Sequence, residues 1–244
     1  QFPAEEEGLL WHSWCVLRDL LCRDCASIVT GNARLCNHPD DGMLMTEDLS
    51  RLPFDDLVRR VRACTICADV LPRGPRPVIQ ISESARILVV GQAPGRRVHE
   101  TGLPFNDPSG DRLRQWMGIT RDTFYDEQKL AILPMGFCYP GTGKSGDLPP
   151  RPECAPAWRN LLLDRLRHIG LTLVIGQYAH AWHLADCRKS VTANVQHWQE
   201  YWPEVLPMPH PSPRNNLWLR RNPWFESEVV PELQRRIARL LEPD

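Results

Sequence analysis

Three groups of residues in this 244-residue chain carry side chains able to do chemistry. The last of them, His210-Pro-Ser-Pro-Arg-Asn215, places an imidazole, a hydroxyl, a guanidinium and an amide on one loop. Prolines at 209, 211 and 213 remove conformational freedom there before any ligand arrives. Polar groups held in this way are what a binding site needs. An earlier group begins with a Gly/Pro-rich turn, Gly91-Gln-Ala-Pro-Gly95, and continues through Gly102-Leu-Pro-Phe-Asn106, Asp107 and Ser109-Gly110. The third group is a set of thiols: Cys64-Thr-Ile-Cys67, then Cys138 and Cys154 with fifteen residues between them. Nine cysteines are an odd number for a disulfide framework, and CxxC pairs in a reducing compartment suit a metal or a cluster. On residue type alone the four thiols are an iron–sulfur site, a zinc site or buried cysteines.

Such loops need elements to position them. Ile87–Val90, Ala131–Leu133 and Leu171–Ile175 are short, β-rich and almost continuously apolar, as strands buried on both faces must be. Val205–Met208 is a last short apolar stretch before the His210 loop. Helical spacing occurs over Phe54–Ala63, Ser109–Met117, Cys154–His168, Gln177–Leu184, Val191–Tyr201 and Ser227–Leu241. In the last of these Val229, Val230, Leu233, Ile237 and Leu240 form an apolar face opposite Arg235, Arg236 and Arg239. Strands alternating with helices predict a three-layer α/β domain with a central, mostly parallel four-stranded sheet flanked by helices. Ligands bind beyond the carboxyl ends of the strands in such sheets, which is where the Gly91 turn falls.

With 29 Lys+Arg against 30 Asp+Glu, bulk charge selects no partner, and nucleic acid would have to meet a local basic patch. Arg96, Arg97, Arg112, Arg114, Arg214, Arg220 and Arg221 surround the motif loops and are expected to form it. No apolar run reaches the roughly 20 residues of a membrane helix and no secretory signal pattern is present, so a cytoplasmic location without a membrane partner is expected. Residues 1–42 are set apart as an N-terminal appendage, and 43–244 as the α/β domain. In the appendage Cys22, Cys25, Cys36 and His38 have zinc-ligand chemistry. Their spacing matches no common finger, and the plainer reading is a short helix around Leu9 to Leu21 with incidental thiols. Cys138-Tyr-Pro-Gly-Thr-Gly-Lys-Ser145 ends like a phosphate-binding loop. Cys138 stands where that pattern demands glycine, and Pro140 stiffens the cradle, which leaves nucleotide hydrolysis a minor alternative.

Taken in order, the strand followed by GQAPG, then GLPFN and Ser109-Gly110, and the late HPSPRN resemble the uracil-DNA glycosylase superfamily over about Leu57 to Leu241. The motifs are most similar to the bacterial and archaeal families four and five, whose first motif is G-E-A-P-G or G-L-A-P-A and whose late motif begins with His-Pro-Ser. The resemblance implies a monomeric DNA-repair glycosylase that hydrolyses the N-glycosidic bond of uracil, or of another deaminated base, flipped out of DNA. Those families hold a [4Fe-4S] cluster through an early CxxC and a later cysteine pair roughly fifteen residues apart. Cys64, Cys67, Cys138 and Cys154 are thereby implied as its ligands, with zinc in the same cage the lesser alternative. His210 would donate a hydrogen bond to the base carbonyl as negative charge develops there. Phe105 would stack on the flipped base beside Gly91 and Ala93. Ser212, Arg214 and Asn215 would complete the substrate contacts, mainly at a neighbouring phosphate, and Leu217 or Trp218 would fill the gap left in the duplex.

Two positions depart from the pattern. Family four places a Glu after the first Gly, but this chain has Gln92, which cannot act as a base. Gln92 is kept as a catalytic candidate by its position, and Asp107 is the expected replacement, since family five carries an Asp two residues before its Ser-Gly. The alternative role for Asp107 is to cap the helix beginning near Ser109. Family four also carries an Asn four residues before the third cluster cysteine. Pro134 stands there and has no side-chain donor or acceptor, so base readout passes to backbone groups or other side chains. These departures keep open a non-catalytic DNA-binding relative of the same fold. His99 has no assigned role and is expected to lie solvated on its loop.

Overall fold

The computed structural model describes residues 48–144 and 146–242. The 1–42 appendage, with Cys22, Cys25, Cys36 and His38, lies outside the described residues. Asp48–Leu52 holds a short turn in which the Asp48 side chain caps the Ser50 N–H. A separate compact unit begins at Pro53. In chain order its elements are α1 (Phe54–Arg62), β1 (Ile87–Val90), α2 (Arg96–Thr101), α3 (Pro108–Met117), α4 (Arg121–Tyr125) and β2 (Leu130–Ile132). The two-residue strands β3 (Thr142–Gly143) and β4 (Gly146–Asp147) follow, then α5 (Asn160–Leu163), β5 (Leu171–Ile175), α6 (Gln177–His183) and α7 (Val191–Gln196). The chain continues with β6 (Val205–Met208), α8 (Asn216–Arg221) and α9 (Val230–Leu241).

The central sheet has the order β2-β1-β5-β6 and is parallel throughout, in a three-layer α/β domain. Continuous apolar runs make this possible, because a strand covered by helices on both faces has no side for polar residues. Ile87, Leu88, Val89 and Val90 are all buried, and Leu173, Ile175, Leu206 and Met208 share their core with Phe225, Leu233 and Ile237. Helix α6 packs on β5, α7 on β6, α4 on β2, and α3 against α9. The α3–α9 side is locked by Trp116, which meets Phe225 edge to face at 5.0 Å. β3 and β4 form a separate antiparallel hairpin.

Several helices are shorter than their apolar spacing predicts. Over 154–168 a π-helical turn, Ala155–Arg159, leads into α5, which ends at Leu163. Leu166 keeps the period because it is buried from a turn, not because the helix continues. Over 191–201 the helix stops at Gln196, and Trp198 is buried from a following 3-10 turn. α2, α4 and α8 span only five or six residues, too few to display a helical period.

The carboxyl ends of the strands, where the polar loops begin, are fastened by buried polar groups. His180 Nε2 bridges the Val174 and Met208 carbonyls at 3.0 and 3.2 Å, and its Nδ1 faces the Asn194 amide at 3.2 Å. That assigns Nε2 as the donor and Nδ1 as the acceptor. Gly176 N–H also donates to the Met208 carbonyl. On the other side, Met135 and Gly136 N–H groups donate to the Gly91 and Gln92 carbonyls at 2.8 and 2.9 Å, which fixes the first turn.

Candidate active site

A cavity of about 540 Å³ opens between the first turn and the late loop. Gly91, Gln92, Ala93, Phe105, Asp107, His210, Ser212, Arg214 and Asn215 all line it, so every candidate cleft residue named from the sequence comes to one place. Pro134 forms part of the wall, as does Asp147, which the sequence reading did not single out.

His210 leaves the end of β6 and its loop is braced three ways. Ser212 N–H donates to His210 Nδ1 at 3.1 Å, and Asn215 Nδ2 donates to the His210 carbonyl at 2.8 Å. Arg112 reaches over from α3 to the Pro211 and Ser212 carbonyls and to Asn216 Oδ1. With Nδ1 occupied as an acceptor, the neutral imidazole carries its proton on Nε2. Burial lowers the His210 pKa, Asp107 draws it back up, and Arg214 pushes it further down. The imidazole is therefore an uncharged donor at neutral pH.

Phe105 is held in the left-handed region, with φ +50°. A phenylalanine there stores strain, which the surroundings must offset. Tyr125 hydroxyl donates to the Pro104 carbonyl at 2.9 Å, and the ring of Phe105 meets Phe124 edge to face at 6.1 Å. Gly110 makes room: a Cβ there would lie 1.8 Å from the Phe105 carbonyl oxygen. Arg114, expected on a basic surface, is instead buried, with its guanidinium over the Phe124 and Tyr125 rings and 3.5 Å from the Phe105 carbonyl. The spacing had placed it beside the motifs; its apolar neighbours turn it inward.

Asp107 caps α3, its Oδ1 accepting from Gly110 N–H at 3.0 Å, and it lines the cavity as well. The two roles weighed for it are compatible. Gln92 turns its amide to the hairpin, donating to the Leu148 carbonyl at 2.8 Å and toward that of Asp147 at 3.5 Å.

Other expectations are corrected. Lys144 belongs to the turn between β3 and β4, so this segment is a hairpin and not a loop opening onto a helix; Ser145 lies outside the described residues. His99 is buried on α2 against Tyr139 and not solvated, and burial lowers its pKa. Trp218 packs against Trp224 and Phe225 and donates to Thr192 Oγ1, whereas Leu217 is 51% exposed.

Cys64, Cys67, Cys138 and Cys154 surround a second, small pocket with Leu71, Pro75, Pro77, Phe137 and Arg151. Trp158 Nε1–H donates to Cys64 Sγ at 3.2 Å and Phe137 N–H to Cys154 Sγ at 3.5 Å. Burial pushes the Cys138 thiol up to about 12 and Cys154 to about 11. Among the described residues no group of three or more His, Cys, Asp or Glu side chains is arranged to hold a metal ion.

A parallel α/β sheet with a cleft of about 540 Å³ at its strand ends, lined by an imidazole, an aromatic ring and carboxylates, has the layout of an α/β ligand-binding domain. Residues 79–234 match the uracil DNA glycosylase superfamily, and the chain belongs to that superfamily. Membership supports a DNA glycosylase hydrolase in general, in a family that acts on DNA. Among the described residues no helix is long and apolar enough to cross a membrane.

Proposed function

We propose that this protein is a monofunctional DNA glycosylase that hydrolyses the N-glycosidic bond of uracil, or of another deaminated base, extruded from DNA. The observation that carries the reading is the tautomer of His210. Its Nδ1 is engaged by Ser212 N–H, so Nε2–H is left to donate into a cleft that also holds Phe105. As the bond to the sugar lengthens, negative charge grows on the base carbonyl, and a preorganised neutral donor stabilises it without first losing a proton. Phe105 stacks on the base, and the strain at its backbone fixes the ring before substrate arrives. Asp107, with one oxygen committed to Gly110, offers the other to the cationic sugar. Ser212 and Arg214 grip a neighbouring phosphate, and exposed Leu217 fills the gap in the duplex. Reading of the base edge cannot use a side chain at Pro134, and the Pro134 carbonyl already accepts from Arg159 Nη1 at 2.8 Å.

The four cysteines fit a [4Fe-4S] cluster by donor type. N–H groups already aimed at two sulfurs are the outer-shell contacts such a centre uses. The four thiols line one pocket, and zinc in the same four-cysteine site is the alternative. Bound there, the cluster would supply structural cross-linking of the Cys64 loop to the 138–154 segment.

The test is a panel of single- and double-stranded oligonucleotides carrying uracil, hypoxanthine or xanthine, incubated with protein and then treated with alkali. Strand breaks that vanish with His210→Ala support the enzyme. Tight binding without any cleavage by the unaltered protein points instead to a DNA-binding relative, a reading favoured by Gln92, whose amide is engaged with the hairpin, and by Pro134, which has no side-chain polar group.

A further inference from the structure

The β3–β4 hairpin carries a carboxylate into the cleft that no sequence motif announces. Asp147, its last residue, lines the cavity with Asp107 and His210. Gln92 fastens the main chain on either side of the Asp147–Leu148 bond. The Thr142 hydroxyl, itself bonded to Tyr139, donates to the Asp147 carboxylate across the hairpin. A Cβ on Gly95 would stand 3.4 Å from Asp147 Oδ2, so this carboxylate rests against the main chain of the first turn. That turn is where a water-activating glutamate would have come from, had position 92 not been glutamine.

We propose that Asp147 is the residue that orients and deprotonates the attacking water, with Gln92 serving to hold the hairpin in place. This rests on the glycosylase reading above and names the base for it. The two cleft carboxylates are not equivalent. Asp107 has one oxygen committed to the Gly110 N–H and also acts on the His210 imidazole. Asp147 faces Arg214, on the side proposed for the phosphate and sugar, with Asp107 as its other charged neighbour. A water held by Asp147 would stand beside Arg214, whose Nη1 lies 3.0 Å from where a Cβ on neighbouring Gly146 would be. In the step, the C1′–N bond breaks and its electron pair leaves with the base, whose carbonyl charge rests on His210 Nε2–H. The water oxygen bonds to C1′, one water proton passes to Asp147 and on to solvent, and the base anion takes a proton from solvent. Free base and an abasic site result.

Burial in the cleft raises the Asp147 carboxyl from its ordinary value, while Arg214 and the Thr142 bond pull it down. The active form is the ionised one, so activity falls as pH drops through an acid limb displaced upward from that of an ordinary aspartate. The experiment measures single-turnover cleavage of whichever duplex the unaltered protein attacks in the three-base panel, across pH, beside binding of its cleavage-resistant 2′-fluoro counterpart. Asp147→Asn is expected to slow cleavage by about 100-fold or more, to abolish the acid limb and to leave duplex binding unchanged. Asp107→Asn retains the limb. Cleavage by Asp147→Asn at the original rate, or loss of rate matched by loss of binding and of thermal stability, overturns the assignment while the glycosylase reading stands. No cleavage of any of the three bases by the unaltered protein overturns both.

Discussion

The cleft is large and mixed in character, with His210, Asp107 and Asp147 among its lining residues, whereas the cysteine pocket is small and lined by Leu71, Pro75, Pro77 and Phe137 beside its thiols. One stretch of chain nevertheless serves both in alternation. Pro134 lies on the cleft wall, Cys138 in the thiol pocket, Gly146 and Asp147 back on the cleft, and Cys154 again among the thiols. Arg159 closes the circuit: fully buried, it donates to the Leu133 and Pro134 carbonyls at 2.9 and 2.8 Å and meets His183 Nε2 at 2.7 Å. Burial pulls its pKa down to about 10, and no carboxylate is bonded to it among the described residues. The thiol pocket is thus placed as the foundation of the hairpin, and the cleft as what the hairpin serves. On the proposed reading, chemistry belongs to one region and geometry to the other.

The division can be broken most decisively at His210. His210→Ala is expected to reduce single-turnover cleavage by about 100- to 1000-fold, as loss of a transition-state donor does. The thiol pocket should not notice: colour and thermal midpoint stay as they were. Cys138→Ser is the converse. Anaerobically purified protein should be brown, with broad absorbance near about 400 nm, and the variant should lose that colour, melt at a lower temperature and cleave more slowly through a loosened hairpin. Colourless protein holding stoichiometric zinc would replace the cluster by a single ion. A smaller effect is expected at Gly110→Ala, where the new methyl meets the Phe105 carbonyl at 1.8 Å. Relief requires the Phe105 loop to move, and a loss of about 1–3 kcal/mol in urea unfolding is expected, with base excision weakened.

What could be read from the chain differs between the two regions for a physical reason. The central strands were legible because burial on both faces leaves an unbroken apolar run, and the His210 and Gly91 loops because proline and glycine cluster where a rigid turn is needed. Asp147 was not, because its proposed role depends on a six-residue hairpin whose Thr142 and Gly146 show no strand alternation, and because the segment resembles a phosphate loop. Arg114 and Arg112 were legible as charges but not as braces. Only the fold shows that one lies over Phe124 and Tyr125 while the other reaches the Pro211 and Ser212 carbonyls. His180 and Asn194, which fasten the strand ends, carry no motif at all; a buried polar pair has meaning only once its carbonyl partners are known.

That frame beneath both regions supplies the smallest predicted effect. Burial takes His180 down to about 4 and His183 to about 3, against about 6.5 for an exposed histidine. Above pH 6.5 both are neutral in the folded and unfolded chain alike, and stability does not depend on them. As pH falls below that value the unfolded chain takes up protons that the fold refuses, so stability declines until the folded histidines also protonate near pH 3–4. His180 ties β5 and β6 at the cleft, and His183 sits against Arg159, where a second positive charge would press on the Leu133–Pro134 segment. Urea midpoints measured between pH 7.5 and 4.5 should therefore fall steadily. The decline should be shallower in His183→Gln, which keeps a neutral hydrogen-bonding group beside Arg159 without the titration. A flat profile in the unaltered protein would mean that the two histidines are not held neutral and that the shared frame is looser than their hydrogen bonds imply.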